Sequence, residues 1–89
     1  MKDRYLEVTY RNGKPFAAYL HLPRRTDERS VRSEEVEHGM VIDYGPSDHP
    51  IGIELTALEQ VTSVRLNHVL KRLNLAPMRE GELAPLSAA

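Results

Sequence analysis

Alternation of apolar and polar residues marks two runs near the start of the chain, over residues 5–10 and 16–22. Alternation of this kind is typical of β-strands that bury one face. The runs flank Asn12-Gly13, and an Asn-Gly pair between alternating runs indicates a hairpin. The first third of the chain is therefore predicted to form a β-hairpin.

The apolar pattern also selects a loop for this hairpin. A two-residue turn in a regular ladder would place the apolar residues of the two strands on opposite faces of the sheet. A shift of one residue in register moves every side chain of a strand to the other face. A three-residue loop, Arg11 to Gly13, with a bulge keeps both sets together. This loop pairs Val8 with Phe16 and Leu6 with Ala18.

A second pair of apolar runs lies at residues 40–44 and 51–55, separated by Gly45–Pro50. Glycine and proline in the separating segment indicate a loop, so these runs predict a second hairpin. Apolar side chains share one face if Tyr44 pairs with Ile51.

Residues at helical spacing near the end of the chain predict one helix. The apolar stripe of this helix is Leu66, Val69, Leu70 and Leu73. Thr62 is a suitable N-cap, and Asn74 suits a left-handed C-terminal residue. A rival start at Thr56, with Glu59 three residues later, also fits a capping box.

These elements predict an α+β domain over residues 1–77, with an antiparallel sheet of about four strands in two hairpins. One C-terminal α-helix would pack on one face of the sheet. Residues 31–36 fit either a short edge strand or an irregular segment. Residues 78–89 contain a proline and small residues without a repeat, so a disordered tail is expected.

Composition narrows the class of protein. The 89 residues contain no cysteine, which excludes disulfides, and the formal charge of −1 gives no general attraction to nucleic acid or anionic membranes. No apolar run reaches the length of a signal sequence or membrane span, so we expect a cytoplasmic protein without a membrane partner. Because a core this small is marginal, a homodimer or a small protein partner is expected.

Two carboxylates are candidates for chemistry. The predicted register places Asp43 and Glu54 diagonally across Gly52 on a polar face, about 7–8 Å apart. Carboxylates at such a distance can act as an acid and a base around a water. Solvated surface acids are the commoner interpretation, and no nucleophile, phosphate-loop or dinucleotide motif accompanies the pair.

Two other groups of residues have candidate binding roles. Asp48 and His49 in the second hairpin loop are the nearest approach to a metal site, although no ligand spacing supports it, and no cofactor is predicted. Arg65, Lys71 and Arg72 lie on the polar side of the helix and could meet phosphates or an acidic partner. Basic residues near a helix C-terminus also simply complement its dipole, and tight nucleic-acid binding is not expected.

The segments 31–44 and 51–55 resemble the short bacterial proteins grouped as domain of unknown function 2283. Their shared features are a Tyr-containing first hairpin, a Val-Ile-Asp-Tyr strand and a Gly-Ile-Glu-Leu strand, and the likeness covers residues 5–55. This chain departs in its tighter first turn and in a charged insertion at residues 24–30. The resemblance implies no particular activity and no catalytic residues; it suggests a small accessory or antitoxin-like protein.

The leading hypothesis is therefore a small non-catalytic interaction or accessory protein, antitoxin-like, that acts as a homodimer or with a partner chain. The dimer interface is expected on the uncovered sheet face, which shows Tyr5, Tyr19 and Val41, or on an edge near Val31 to Val36. The alternative is a small enzyme or metal-binding protein that uses Asp43 and Glu54. A third hypothesis is weak nucleic-acid binding through the helix.

Overall fold

The two predicted hairpins and one further strand form a single antiparallel sheet in the computed structural model, which describes residues 4–23 and 29–87. The strands are β1 (Tyr5–Arg11), β2 (Lys14–His21), β3 (Arg32–Glu37), β4 (Met40–Tyr44) and β5 (Pro50–Leu55). Their spatial order is β1-β2-β5-β4-β3. The predicted antiparallel sheet with one main helix is confirmed, but the described residues form five strands rather than about four. The fifth is β3, so residues 32–37 form the edge strand that was one of the two alternatives for this segment.

The turn between β1 and β2 is shorter than predicted. Asn12 and Gly13 both have positive φ values, 53° and 78°, and Arg11 pairs directly with Lys14. Positive φ at both central residues is the geometry that Asn-Gly favours in two-residue hairpin turns. The extra residue needed to keep the apolar faces together is instead Phe16, which lies in a bulge of β2.

Beyond this bulge the apolar residues of the first hairpin share a face, as the pattern required. Val8 pairs with Ala18 and Leu6 pairs with Leu20. The predicted pairing of Val8 with Phe16 is therefore wrong by two residues. The alternation determines which face a residue occupies, but it does not determine where along the ladder the extra residue sits.

The second hairpin has the predicted register over most of its length. Asp43 lies opposite Gly52 and Met40 lies opposite Leu55. An irregularity after Asp43 shifts Tyr44 onto Pro50, so its predicted pairing with Ile51 is wrong.

Helix α1 (Ser63–Arg72) begins where the Thr62 cap was predicted. The Thr62 hydroxyl oxygen accepts a hydrogen bond from the Arg65 backbone N–H at 3.1 Å, which satisfies one of the unpaired donors of the first turn. The rival start at Thr56 is wrong, because Leu58–Gln60 forms a separate 3-10 helix.

The end of α1 also follows its sequence signal. Asn74 has a φ of 60°, and its N–H donates to the Lys71 carbonyl while the Leu75 N–H donates to the Leu70 carbonyl. This pair of bonds is the Schellman arrangement, in which a left-handed residue stops the helix. Among the described residues, no helix combines the length and the apolar character needed to cross a bilayer.

The core lies between α1 and one face of the sheet, which we call the covered face. Its fully buried side chains come from the strands and the helix: Leu20, Met40, Ile42, Ile53, Leu55, Leu66, Val69 and Leu70. The alternate residues of each strand point to the opposite side, which we call the open face.

Helix α1 is not the C-terminal element. Met78 and Leu83 are 5% and 8% exposed and belong to the same core, and Glu80–Ser87 forms a 3-10 helix. The Asn67 side chain anchors this segment through two hydrogen bonds with the backbone of Met78, 2.7 and 3.1 Å long. The expectation of a disordered tail over residues 78–89 is thus corrected for residues 78–87, since two apolar side chains enter the core; residues 88–89 lie outside the described residues.

Candidate functional site

Polar side chains from all five strands lie side by side on the open face. The ladder sets Tyr5 beside His21 and Glu7 beside Tyr19, and it sets Asp43 between Gly52 and Ser33. We call the connected side chains the polar belt: Glu7, His21, Tyr19, Glu54, Asp43 and Ser33. The belt crosses the sheet from edge to edge.

Asp43 is the buried centre of the polar belt, with 7% of its surface exposed. Its Oδ2 accepts a hydrogen bond from the Tyr19 hydroxyl at 2.8 Å, and its Oδ1 accepts one from the Ser33 hydroxyl at 2.6 Å. The expectation of an ordinary surface acid is therefore wrong for Asp43. Side chains from both sides cover it and supply the hydrogen bonds that a buried carboxylate needs.

Tyr19 reaches Asp43 by lying across β5. The two residues are on strands that flank β5, and the residue beneath the phenol ring is Gly52. A Cβ atom at Gly52 would lie 2.0 Å from the Tyr19 hydroxyl oxygen, a distance that no real contact allows. The absence of a side chain at Gly52 is thus the condition for the bond between Tyr19 and Asp43.

Glu54 lies next to Asp43, as the predicted diagonal placement required. Burial raises the pKa of Glu54 above its ordinary value of 4.5, and a hydrogen bond with Asp43 and the negative charge of Asp43 raise this pKa further. Burial and a neighbouring negative charge both disfavour the ionised form of a carboxyl group. Glu54 therefore keeps its proton more readily than an ordinary glutamate does.

A shallow depression of about 250 Å³ adjoins Glu54. The side chains around it include Glu7, Thr9, Ala17, Tyr19, Glu54 and Thr56. Carboxylates, hydroxyl groups and one aromatic ring therefore meet at a concave part of the open face.

His21 is a member of the belt that sequence reasoning missed. Its Nε2 lies 2.7 Å from the Glu7 carboxylate, and its ring stacks on Tyr5 with centroids 4.3 Å apart. The Tyr19 ring meets His21 edge-on, with centroids 4.7 Å apart. The correct hairpin register would have revealed this cluster, because it places Tyr5 directly opposite His21.

The two loop residues proposed for a metal site face other partners. Asp48 accepts a hydrogen bond from Arg32 at 2.9 Å, and the His49 Nε2 lies 3.2 Å from the Pro23 carbonyl oxygen. Neither is brought to Asp43 or Glu54 by a hydrogen bond. Within residues 4–23 and 29–87, no group of three His, Asp or Glu residues is arranged to hold a metal ion.

The basic residues of α1 do not form one uniform stripe. Arg65 donates to the Glu37 carboxylate at 3.2 Å and to the His38 carbonyl at 3.3 Å, so its guanidinium is directed toward the β3–β4 turn. Lys71 and Arg72 lie exposed in the last turn, where positive charge complements the helix dipole.

Residues 17–57 match the family described as "Protein of unknown function (DUF2283)". No curated protein and no solved structure matches the chain. The matched segment runs from β2 to just beyond β5, so it contains Tyr19, Ser33, Asp43, Gly52 and Glu54, the part of the polar belt that surrounds the buried carboxylate. The resemblance to domain of unknown function 2283 is thereby confirmed for residues 17–57.

Proposed function

We propose that the protein is a small non-catalytic interaction protein whose open face binds a partner chain that carries basic side chains. The observation that supports this proposal is the chemistry of the open face. While α1 and the segment after it pack on the covered face, the open face presents carboxylates beside tyrosine rings.

The charge on the open face is predominantly acidic. Its acids, assigned from the strand registers, are Glu7, Glu35, Asp43 and Glu54. The basic residues that the register places on this face are Arg11 and Lys14, which pair beside the hairpin turn, and His21, which is paired with Glu7. Acidic clusters on a surface favour partners with complementary charge and accelerate their association.

The arrangement suits lysine and arginine side chains in particular. Glu7 and Glu54 line the same depression as Tyr19, so a cation entering there would meet carboxylates and the face or edge of an aromatic ring. Guanidinium groups combine hydrogen bonds to carboxylates with stacking on aromatic rings. The hydrogen bonds and ring contacts within the belt hold these groups in place, which lowers the entropic cost of binding.

The proposal includes three expectations from the sequence. The protein acts as a homodimer or with a partner chain, since its core is small. Its role is accessory and antitoxin-like, in line with the family resemblance. Its location is the cytoplasm, in line with the absence of cysteine.

A titration with short peptides tests the open-face proposal. We expect an arginine-rich peptide to cause saturable shifts of the backbone amide signals of Tyr5, Glu7, Tyr19 and Glu54, followed by NMR. A glutamate-rich peptide of the same length should cause none. The affinity for the arginine-rich peptide should fall as salt rises, because exposed charges are screened.

A charge-matched pair of variants makes this test specific. Glu7→Gln should lower the affinity for the arginine-rich peptide at least severalfold, because it removes a carboxylate that lines the depression. Glu59→Gln, which removes an exposed carboxylate outside the polar belt, should leave binding unchanged. Equal effects of both variants, or shifts confined to other surfaces, would overturn the proposal.

The second candidate function is acid–base or metal chemistry at Asp43 and Glu54. One observation favours it: Glu54 has a raised pKa and faces a depression. Against it, both Asp43 oxygens already accept hydrogen bonds from Tyr19 and Ser33. Titration with Mg²⁺, Mn²⁺ or Zn²⁺, followed by NMR, decides between them, because saturable shifts clustered at Asp43 and Glu54 would favour this second function.

A further inference from the structure

We propose that β1 is the edge at which two copies of the chain join into a continuous antiparallel sheet, with five strands from each copy. This inference rests on the proposed homodimer and names its interface. Strand addition at a sheet edge uses backbone groups that the fold itself leaves unpaired.

The sheet has two edges, because β1 and β3 each pair with one described neighbour. The two edge strands differ in how well they are protected against pairing. Strand β3 contains Glu34, Glu35 and Glu37 among its six residues, and its ladder is irregular between Glu35 and Glu37. Charged side chains and bulges are the usual means of preventing edge-to-edge association.

Strand β1 has fewer of these protective features. Its seven residues, YLEVTYR, contain one acid and one base and no proline, and Phe16, the unpaired residue of the bulge, belongs to β2. Tyrosine, valine and threonine are residues that favour strands. Two of its side chains, Tyr5 and Tyr10, remain 47% and 53% exposed, so pairing would remove aromatic surface from water.

The side chains of β1 also select a register. Antiparallel pairing about a two-fold axis that is perpendicular to the sheet keeps both open faces on one side. Centring this axis on Val8 pairs all seven residues and places Glu7 opposite Thr9 of the second copy. In this register no like charges face each other, and the Arg11 guanidinium lies opposite a tyrosine ring.

Neighbouring registers are less favourable. Centring the axis on Glu7 would set two glutamates opposite each other, which is destabilising. Centring it on Thr9 would allow Glu7 to pair with Arg11, but it would leave Tyr5 and Leu6 outside the ladder. The register centred on Val8 is therefore the one that pairs all seven residues of β1 without placing like charges opposite each other.

The dimer would place two open faces side by side. Both copies of α1 would lie on the other side of the extended sheet, because the two-fold axis preserves the faces. A partner chain that binds the acidic open face would then meet two polar belts, and such bivalent contact strengthens binding without new kinds of contact.

Substitutions at Thr9 test both the interface and its register. Thr9 is exposed, so a change there is tolerated by the fold. Thr9→Glu would place a glutamate opposite Glu7 of the second copy, twice per dimer, and should raise the dimer dissociation constant about tenfold. Thr9→Lys would create two opposite-charge pairs and should lower this constant.

Analytical ultracentrifugation over a series of protein concentrations measures these constants against the monomer mass of 10.1 kDa. The matched controls are Val64→Glu and Val64→Lys, which introduce the same charges at an exposed residue of α1. They should leave the dissociation constant unchanged. Circular dichroism confirms that each variant is folded.

A cross-link provides a second measurement that does not depend on charge. Since the chain has no cysteine, Val8→Cys introduces a single thiol that lies opposite its own copy in this register. Mild oxidation should convert the variant to a covalent dimer much faster than it converts a Val64→Cys control on the exposed side of α1.

The outcomes separate this inference from the proposal on which it rests. A dimer that ignores Thr9 substitutions and does not cross-link through residue 8 would overturn the β1 interface and leave a homodimer with another interface. A monomer at every concentration, in the wild type and in Thr9→Lys, would overturn the homodimer itself. Peptide binding to the open face has its own readout and is judged separately.

Discussion

At the scale of single residues, Gly52 and Tyr19 depend on each other. The phenol ring occupies the space where a side chain of β5 would stand, and its hydroxyl group donates to the buried Asp43 carboxylate. Glycine is needed here for a close approach of another side chain rather than for an unusual backbone conformation. The same small space explains how a tyrosine on β2 can reach an acid on β4.

Gly52→Ala should therefore destabilise the protein by about 2 to 4 kcal/mol, the range expected when a steric clash also breaks a buried hydrogen bond. Urea unfolding measures this change. Gly81→Ala is the matched control, since a Cβ there meets nothing within 4 Å, and it should cost little. In a Tyr19→Ala background the Gly52→Ala substitution should become much less costly; an unchanged cost would contradict the proposed dependence.

Glu54 gives stability a pH dependence whose sign follows from its raised pKa. Because the folded-state pKa lies above the unfolded value, the stabilising contribution is present at pH values below the unfolded pKa. It is lost as the pH rises through the folded pKa, when Glu54 must ionise beside Asp43.

Glu54→Gln should thus raise the free energy of unfolding at pH 7, and this gain should shrink as the pH is lowered toward 4. Thermal unfolding at several pH values measures the difference. Glu59→Gln, at an exposed site, should show no such trend. A gain that grows toward acid pH would mean that the carboxylate form of Glu54 stabilises the fold.

At the scale of elements, signals that act within a few residues were predictive. The Thr62 cap and the Asn74 stop are both confirmed, because each depends on backbone groups within one helical turn. The register of the first hairpin was predicted wrongly, because a bulge at Phe16 and a bulge at Gly13 are both compatible with the same apolar alternation. The Asn-Gly pair decides between them, because it favours a two-residue turn. The extra residue must then lie within β2, at Phe16.

The left-handed conformation of Asn74 makes a second element-scale prediction. Asn74→Gly should stabilise the protein slightly, whereas Asn74→Ala should destabilise it by about 1 kcal/mol, because a Cβ disfavours this conformation unless a polar side chain compensates. Urea unfolding of both variants measures the gap between them. Equal stabilities would mean that the helix end does not depend on this residue.

At the scale of the whole molecule, the sequence predicted the two faces but not what covers them. The diagonal placement of Asp43 and Glu54 followed from the second hairpin alone, whereas the burial of Asp43 needs Tyr19 and Ser33 from two other strands. Such contacts join residues that are distant in sequence and leave no periodic pattern. The packing of the C-terminal segment could not be predicted for the same reason, because Met78 and Leu83 are isolated apolar residues without helical or strand spacing.

The packing of this segment makes the last prediction. Met78 and Leu83 are almost fully buried, and burial of two such side chains contributes about 3 to 6 kcal/mol, a large part of the stability of a small domain. Removal of residues 78–89 should therefore lower the urea midpoint sharply or unfold the chain. If the truncated chain fails to fold, Leu83→Ala should still cost about 2 to 3 kcal/mol, while Ala84→Ser at the exposed neighbouring position should cost little. A truncated chain as stable as the full one, with Leu83→Ala equally neutral, would mean that the C-terminal segment is not part of the core and that the tail expected from composition describes it better.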